Sequence, residues 1–120
     1  MKTYSFEKLE VWQDSVVLVK LIYSITNSFP SEEKFGLVSQ LRRASISIAS
    51  NLAEGTSRKT QKDKAHFTTI SFSSAMEILN QLIISKDLGF ISENDYILAR
   101  QKIEKITNML NSLRNYQLNK

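Results

Sequence analysis

QLRRASISIASNLAEGTSRKT, the stretch from Gln40 to Thr60, decides the fold class because its apolar residues recur at helical spacing. Its middle holds ten consecutive uncharged residues, Ala44 to Ala53. Two seams, meaning rows of residues on one helix face, run along this helix. The first consists of Leu37, Leu41, Ala44, Ile48 and Leu52, and the second consists of Val38, Ser45, Ala49 and Ala53. A helix that lacks charge on two sides needs cover on two sides, unless its alanines and serines simply tolerate exposure. We therefore expect Ser45, Ala49 and Ala53 to contact another copy of the chain.

The composition fits a single domain over residues 1–120. The chain has 120 residues, of which 42% are hydrophobic, enough to bury one core. Cysteine is absent, which excludes disulfides and thiolate metal sites. The sequence has neither the apolar run of a signal peptide nor the roughly 18 apolar residues of a spanning helix, so we expect a cytoplasmic protein without membrane contact. The net charge of +4 favours an acidic partner such as nucleic acid.

Proline and glycine are scarce, and their positions divide the chain into four helical segments. Pro30 ends the first segment, and Ser31 offers an N-cap for the second. Gly55 and Gly89 are placed to adopt the left-handed conformation after a helix end. The periodicity predicts helices over residues 6–29, 32–54 and 61–88 and from residue 93 onward. Short connections force antiparallel neighbours, which predicts an all-α, up-down-up-down four-helix bundle.

Two capping patterns and one heptad seam support the later helices. Thr60 with Asp63, and Ser92 with Asp95, have the spacing of a capping box. The fourth helix carries apolar residues at alternating spacings of 3 and 4, namely Tyr96, Ala99, Ile103, Ile106, Leu110 and Leu113. Such a seam is typical of a helix that faces a bundle core.

Three stretches of the sequence resemble a known bacterial family. They are LEVWQ at residues 9–13, FPSEEKFGLVSQLRRASISIASNLAEGTSR at residues 29–58 and SAMEILNQLIISKDLGFIS at residues 74–92. With them the chain is similar, over residues 9–116, to four-helix-bundle proteins encoded in intervening sequences of 23S ribosomal RNA genes. That group includes the accessory variability proteins of diversity-generating retroelements. The resemblance implies a homopentamer with a basic surface that engages nucleic acid or a nucleic-acid enzyme.

The antiparallel topology separates the charges between the two ends of the bundle. Helices one and three begin at one end of the bundle, and helices two and four finish there. We call this end the basic pole. Its eight cations face four acids, with Lys2, Lys8, Arg58, Lys59, Lys62, Lys64, Arg114 and Lys120 against Glu7, Glu10, Glu54 and Asp63. Lys62 and Lys64 lie in the first turn of helix three, where the macrodipole disfavours cations. Local stability therefore does not explain them.

These charges predict a non-catalytic, oligomeric protein that binds nucleic acid through the basic pole. The protein would contact mainly phosphates and would recognise the shape of the nucleic acid, which favours structured RNA. DNA is a further possibility. The predicted contact residues are Arg58, Lys59, Lys62, Lys64 and Arg114. The alternative function is an oligomeric scaffold whose basic pole docks an acidic surface of a protein partner, such as a reverse transcriptase.

A polar strip on helix two suggests a structural network. Arg43, Asn51 and Glu54 share one helix face. Glu77 is the only charged residue between residues 67 and 85 of helix three. We predict that these four residues form a network in which Arg43 bonds a carboxylate across an interface, with Glu77 as one candidate partner. RNA contact by Arg43 remains the alternative, and the role of Arg42 is open between the same two possibilities.

The sequence offers no catalytic constellation. His66 is the only histidine, and a di-iron site built on Asp63 and His66 would need several further inward carboxylates. No glycine-rich phosphate loop or nucleophile motif is present. Five aromatic residues fall on or near helical seams, where core packing is commoner than base stacking, namely Trp12, Tyr23, Phe29, Phe67 and Phe72. We predict no enzyme activity, no metal site and no cofactor.

Overall fold

Four α-helices joined by short connections make up most of the protein. The structure, a computed structural model, describes residues 1–119. Its helices are α1 (Glu10–Thr26), α2 (Leu37–Thr56), α3 (Gln61–Asp87) and α4 (Glu93–Leu118). Within residues 1–119 no strand occurs, each helix packs against the next one along the chain in an antiparallel arrangement, and α4 packs against α1 to close the bundle. The predicted all-α four-helix bundle is confirmed.

The predicted core seams are buried. In α2, Leu41 and Ile48 are completely excluded from solvent, and Ala44 and Leu52 are nearly so. The α4 heptad seam is buried from Tyr96 to Leu110. The largest fully buried side chains come from every helix, namely Leu18, Ile22, Leu41, Ile48, Ile78, Leu82, Ile103, Ile106 and Leu110. Burying a side chain of this size contributes about 1.5–3 kcal/mol through the hydrophobic effect, so this core is the main stabilising element of the fold.

The first helix begins and ends inside its predicted range. Residues Ser5–Lys8 form a separate 3₁₀ turn, because the Glu7 carboxylate accepts a hydrogen bond from the Tyr4 amide (2.7 Å) and Leu9 is extended. At the other end, the Thr26 hydroxyl donates to the Ile22 carbonyl (2.7 Å), and the chain leaves the helix before Phe29. The prediction of a helix over residues 6–29 is therefore too long at both ends.

The second helix begins later than predicted, at Leu37. Residues Ser31–Glu33 form a separate 3₁₀ turn in which Ser31 makes no capping bond to the backbone. The chain then turns at Gly36, and the Glu33 carboxylate accepts a hydrogen bond from the Leu37 amide (3.3 Å). The predicted Ser31 N-cap is therefore wrong, and the acid at this helix N-terminus, Glu33, reaches it from outside the helix.

Gly55 has a different role from the predicted one. It lies inside α2, which continues to Thr56, and its φ is negative. A Cβ atom at this position would lie 2.9 Å from the Cβ atom of Phe67 on α3. Gly55 is therefore needed because the two helices approach closely, and the predicted left-handed helix end at Gly55 is wrong.

The predicted caps of the later helices are confirmed. The amide of Asp63 donates to the Thr60 hydroxyl (3.1 Å), and the amide of Asp95 donates to the Ser92 hydroxyl (3.1 Å). Gly89 follows α3 with a φ of 79°, the left-handed conformation expected after a helix end.

Small polar side chains bring α2 and α3 together. The Ser71 hydroxyl donates to the Ile48 carbonyl (3.0 Å), and the Ser47 and Ser74 hydroxyls are hydrogen-bonded to each other (2.9 Å). A side chain that bonds a carbonyl of the facing helix requires the two backbones to lie close. The uncharged stretch of α2 is therefore covered on this side by α3 of the same chain.

Arg42 fastens the end of α1 to α2. Its Nε donates to Oγ1 of Thr26 (3.0 Å), and its Nη2 donates to Oδ1 of Asn27 (3.1 Å). The guanidinium carbon lies 4.5 Å from the centroid of the Tyr23 ring. A cation near the carbonyls of a helix C-terminus is also favoured by the macrodipole. Arg42 thus has a structural role, and we refer to this set of contacts as the Arg42 clamp.

We expect Gly55→Val to lower the free energy of unfolding by about 3 kcal/mol, because the new side chain would overlap Phe67 in a closely packed interface. Urea denaturation followed by circular dichroism measures this loss. Ser50→Val is the matched control, since Ser50 is exposed on the same helix and should change stability by about 0.5 kcal/mol or less. Equal stability of the two variants would contradict the proposed close approach at Gly55.

Replacing Arg42 by alanine should lower the free energy of unfolding by about 1–2 kcal/mol, since it removes hydrogen bonds of a partly exposed charged group. Arg42→Lys should lose most of the same stability, because an ammonium cannot reproduce the planar fork. Arg43→Ala is the control, because within residues 1–119 the exposed Arg43 side chain makes no hydrogen bond or ion pair. Unchanged stability of Arg42→Ala would rule out the clamp, and a comparable loss at Arg43 would indicate a partner outside the protomer.

Candidate nucleic-acid interface

The four segments assigned to the basic pole meet in the structure. Residues from the chain start, the end of α2, the start of α3 and the end of α4 line one pocket, namely Ser5, Leu9, Thr56, Gln61, Lys64, Leu113, Tyr116 and Gln117. The antiparallel packing thus places the basic connection between α2 and α3 beside the last turns of α4. Lys120, which was also assigned to this pole, lies outside the described residues.

Four of the five predicted contact residues surround the start of α3. Lys59 and Lys62 are exposed, and Lys64 is half-buried at the pocket. The Arg58 guanidinium lies 4.6 Å from the centroid of the Phe67 ring, a cation–π contact that holds it on the outside of α3. These side chains form a continuous cationic surface around one helix start.

The fifth predicted residue, Arg114, lies farther along the bundle. Its Nε donates to the Thr69 hydroxyl (2.9 Å), eight residues into α3. At 1.5 Å per residue this point is about 12 Å from the helix start. Arg114 therefore extends the cationic surface down the α3–α4 side instead of joining the other four.

The described cations of the basic pole form no salt bridge within residues 1–119. Within residues 1–119, no salt bridge involves any of the predicted contact residues. Two acids of this pole are already engaged, since Glu7 accepts the Tyr4 amide and Glu10 lies 3.8 Å from Lys105. Elsewhere Lys86, Arg100 and Lys105 are paired with carboxylates, as in Lys86 with Glu93 (3.2 Å). Within residues 1–119, none of the four acids of the basic pole is paired with a predicted contact residue.

The predicted polar network does not form within one protomer. Asn51 donates to the carbonyl and hydroxyl oxygens of Ser47 (2.9 and 3.0 Å), and Glu77 accepts a hydrogen bond from Gln81 (3.1 Å). Neither residue contacts Arg43, and Glu54 is exposed. Asn51 thus belongs to the α2–α3 interface, while a pairing of Arg43 with a carboxylate of another chain remains a prediction.

The predicted oligomer seam on α2 divides into two parts. Ser45 is completely buried within the protomer, where its hydroxyl donates to the Arg42 carbonyl (2.8 Å). It cannot contact another chain, so its inclusion in an oligomer interface is wrong. Its spacing from Arg42 places it on the side of α2 that faces α1, which the sequence could not tell from an outer face. Ala49 and Ala53 are half-buried and remain available at the surface.

The residues that sequence reasoning missed are at the end of α4. Tyr116 is 58% exposed, and Gln117 is buried with its amide hydrogen-bonded to Thr68 (2.8 Å between the oxygens). Both line the pocket beside Lys64. The antiparallel topology that assigned Arg114 to the basic pole also applies to these two residues. Tyr116 and Gln117 were not predicted because only the charged residues of this pole were considered.

His66 lies exposed on α3 with its ring edge-on to Phe67 (5.8 Å between centroids). Among residues 1–119, no group of three histidine or acidic side chains is arranged to hold a metal ion. In the same part of the chain, no helix combines the length and apolar character that crossing a membrane requires.

Comparison with known proteins identifies the family. The profile of the family described as 23S rRNA-intervening sequence protein matches residues 7–112. A comparison with curated proteins finds no match. Among solved structures, the chain is similar to a protein of unknown function from the S23 ribosomal protein family of Bacteroides thetaiotaomicron VPI-5482. The TM-score is 0.81 and the sequence identity is 21%, and the match covers 88% of this chain and 95% of that chain. This likeness shows the fold, whereas the profile match shows that the chain belongs to the 23S rRNA-intervening sequence protein family.

Proposed function

We propose that this protein is a non-catalytic, oligomeric RNA-binding protein whose basic pole contacts the phosphates of structured RNA. The observation that carries the proposal is that Arg58, Lys59, Lys62 and Lys64 gather at one end of the bundle, where within residues 1–119 none of them forms a salt bridge. Unpaired cations gathered at one end of a protein attract a polyanion and release its counterions on binding. We take structured RNA as that polyanion, because a surface of cations without a base-reading motif recognises mainly phosphates and shape.

The position of the cations at a helix start supports phosphate binding. Lys62 and Lys64 lie in the first turn of α3. The positive end of the helix dipole repels their charges, which costs about 0.3–1 kcal/mol of stability. An anion bound there would relieve this repulsion and contact the same positive end of the helix.

The outer face between α1 and α2 supports self-association. The Arg42 clamp brings Tyr23 of α1 beside α2, and helical spacing puts Val16 and Val19 on the same side as Ala49 and Ala53. This uncharged strip continues into a groove of about 390 Å³ lined by Tyr23, Lys34, Phe35, Val38, Ser39, Arg42, Arg43 and Ile46. The Phe35 side chain is 87% exposed there. A second copy that covers the strip would remove this apolar surface from water.

Self-association would also strengthen RNA binding. Each added copy repeats the basic pole, and a bound RNA that reaches two poles meets the second at a high effective concentration. The number of copies, which the family resemblance puts at five, sets how many phosphates one RNA can contact.

The RNA proposal predicts steeply salt-dependent binding of a structured RNA hairpin. If five phosphates are contacted, the affinity should fall roughly 500-fold between 50 and 200 mM salt. Reversal of Lys59, Lys62 and Lys64 to glutamate should abolish binding in a fluorescence-anisotropy titration. The control reverses Lys20, Lys86 and Lys102, which changes the net charge equally but leaves the basic pole and the groove beside Phe35 intact.

Equal loss of binding in both triple variants would mean that overall charge, and not the basic pole, attracts RNA. If the wild-type protein binds no hairpin at 50 mM salt, the RNA proposal is wrong. The alternative would then be a scaffold whose basic pole docks an acidic protein surface, such as that of a reverse transcriptase.

The self-association proposal predicts a lower mass for Ala49→Arg than for the wild-type protein in light scattering. The arginine would place a charge where a neighbouring chain is expected, at a cost of about 3–5 kcal/mol if the site is buried. Ser50→Arg, at the adjacent exposed position, should leave the mass unchanged. Circular dichroism must show retained helix content in both variants, and an unchanged mass for Ala49→Arg would mean that this strip faces water.

A further inference from the structure

We propose that the pocket at the basic pole receives one unpaired nucleobase of the bound nucleic acid. This inference rests on the proposed RNA binding and adds that a base, and not only the phosphate backbone, is recognised. The pocket has a volume of about 240 Å³ and is formed by residues of all four chain segments that meet at this pole. It therefore exists only in the folded bundle, in a position fixed by the helix packing.

The lining of the pocket matches a flat ring with polar edges. Leu9 and Leu113 supply apolar surface, while Gln61 and Lys64 supply hydrogen-bond donors at its rim. Apolar walls with a few convergent polar groups are typical of small-ligand sites. Among the components of RNA, the bases have this combination of flat apolar faces and polar edges, whereas sugar and phosphate are polar throughout.

Gln117 offers a hydrogen-bonding group to such a ring. The residue is 92% buried, and its Oε1 lies 2.8 Å from the Thr68 hydroxyl, which holds the amide in place. Whichever end of the amide meets Thr68, the other end can bond a ligand in the pocket that Gln117 lines.

Tyr116 supplies an aromatic face beside this amide. Its side chain is 58% exposed, and the residue lines the same pocket as Lys64. Unpaired bases in RNA loops commonly stack on exposed aromatic rings. A base stacked on Tyr116 would present its edge toward Gln117 and Lys64, two donors that suit the carbonyl oxygens of a pyrimidine such as uracil.

The neighbouring cations fit the nucleotides on either side of that base. Lys64 lines the pocket itself, and Lys59 and Lys62 are exposed on the same connection and helix start. A base that enters the pocket would leave its flanking phosphates at this cationic surface. Such a site prefers an RNA with a single-stranded loop over a continuous duplex, in which every base is stacked and paired.

The test compares two RNA hairpins that differ only in the loop. One carries uridines and the other carries abasic nucleotides, so both offer the same phosphates. We expect the wild-type protein to bind the uridine loop about 5- to 150-fold more tightly, the range reported for stacking of one base on an aromatic side chain. Tyr116→Ala should remove this preference, and Tyr116→Phe should keep it.

Tyr4→Ala is the matched control, because Tyr4 is an aromatic residue of the same pole with 56% exposure that does not line the pocket. It should keep the preference for the uridine loop. Melting temperatures of all variants check that the bundle remains folded.

Equal affinity of the wild-type protein for the two hairpins would overturn the inference while leaving phosphate binding by the basic pole intact. A preference that survives in Tyr116→Ala, or that is lost equally in Tyr4→Ala, would overturn it as well. Absence of binding to either hairpin would overturn the proposed RNA binding and, with it, the base pocket.

Discussion

The hydrogen bond from the Ser71 hydroxyl to the Ile48 carbonyl requires α2 and α3 to lie unusually close, and the rest of the bundle follows from this approach. Gly55 permits the same approach one residue before the helix end, where any Cβ would meet Phe67. The connection that follows has only four residues, and its Ser57 and Arg58 amides donate to the Glu54 and Gly55 carbonyls (3.1 Å each). The cations of that connection are therefore carried on a short segment between two closely packed helices.

Much of the fold could be predicted because it depends on local patterns. Apolar spacing marked the core seams of α2 and α4, and Thr60 and Ser92 were recognisable as caps since the bonds involved join residues three apart. Predictions failed where a distant contact decided the local structure. Gly55 has the spacing of a helix end, but its environment is set by Phe67, twelve residues away, and no pattern around Gly55 reports that contact.

The candidate site could also be predicted where it depends on helix topology, and not where it depends on contacts between distant residues. Antiparallel topology sufficed to gather Arg58, Lys59, Lys62 and Lys64 at one pole. Spacing alone could not show that Ser45 faces α1 of its own chain, because a small residue is compatible with an intramolecular or an intermolecular helix contact. It also could not identify Tyr116 as a pocket residue, since a pocket is a property of several segments at once.

The charge asymmetry of the bundle is independent of its fold. Each end of an antiparallel four-helix bundle holds two helix N-termini and two C-termini, so the macrodipoles largely cancel and leave the net field to the side chains. At the end of the bundle opposite the basic pole, Lys86 is paired with Glu93, whereas within residues 1–119 the exposed Lys59 and Lys62 at the basic pole have no such partner. Since these lysines lie outside the core, their charge can be reversed with little effect on stability. The basic pole is therefore a surface whose binding can be altered without unfolding the protein that carries it.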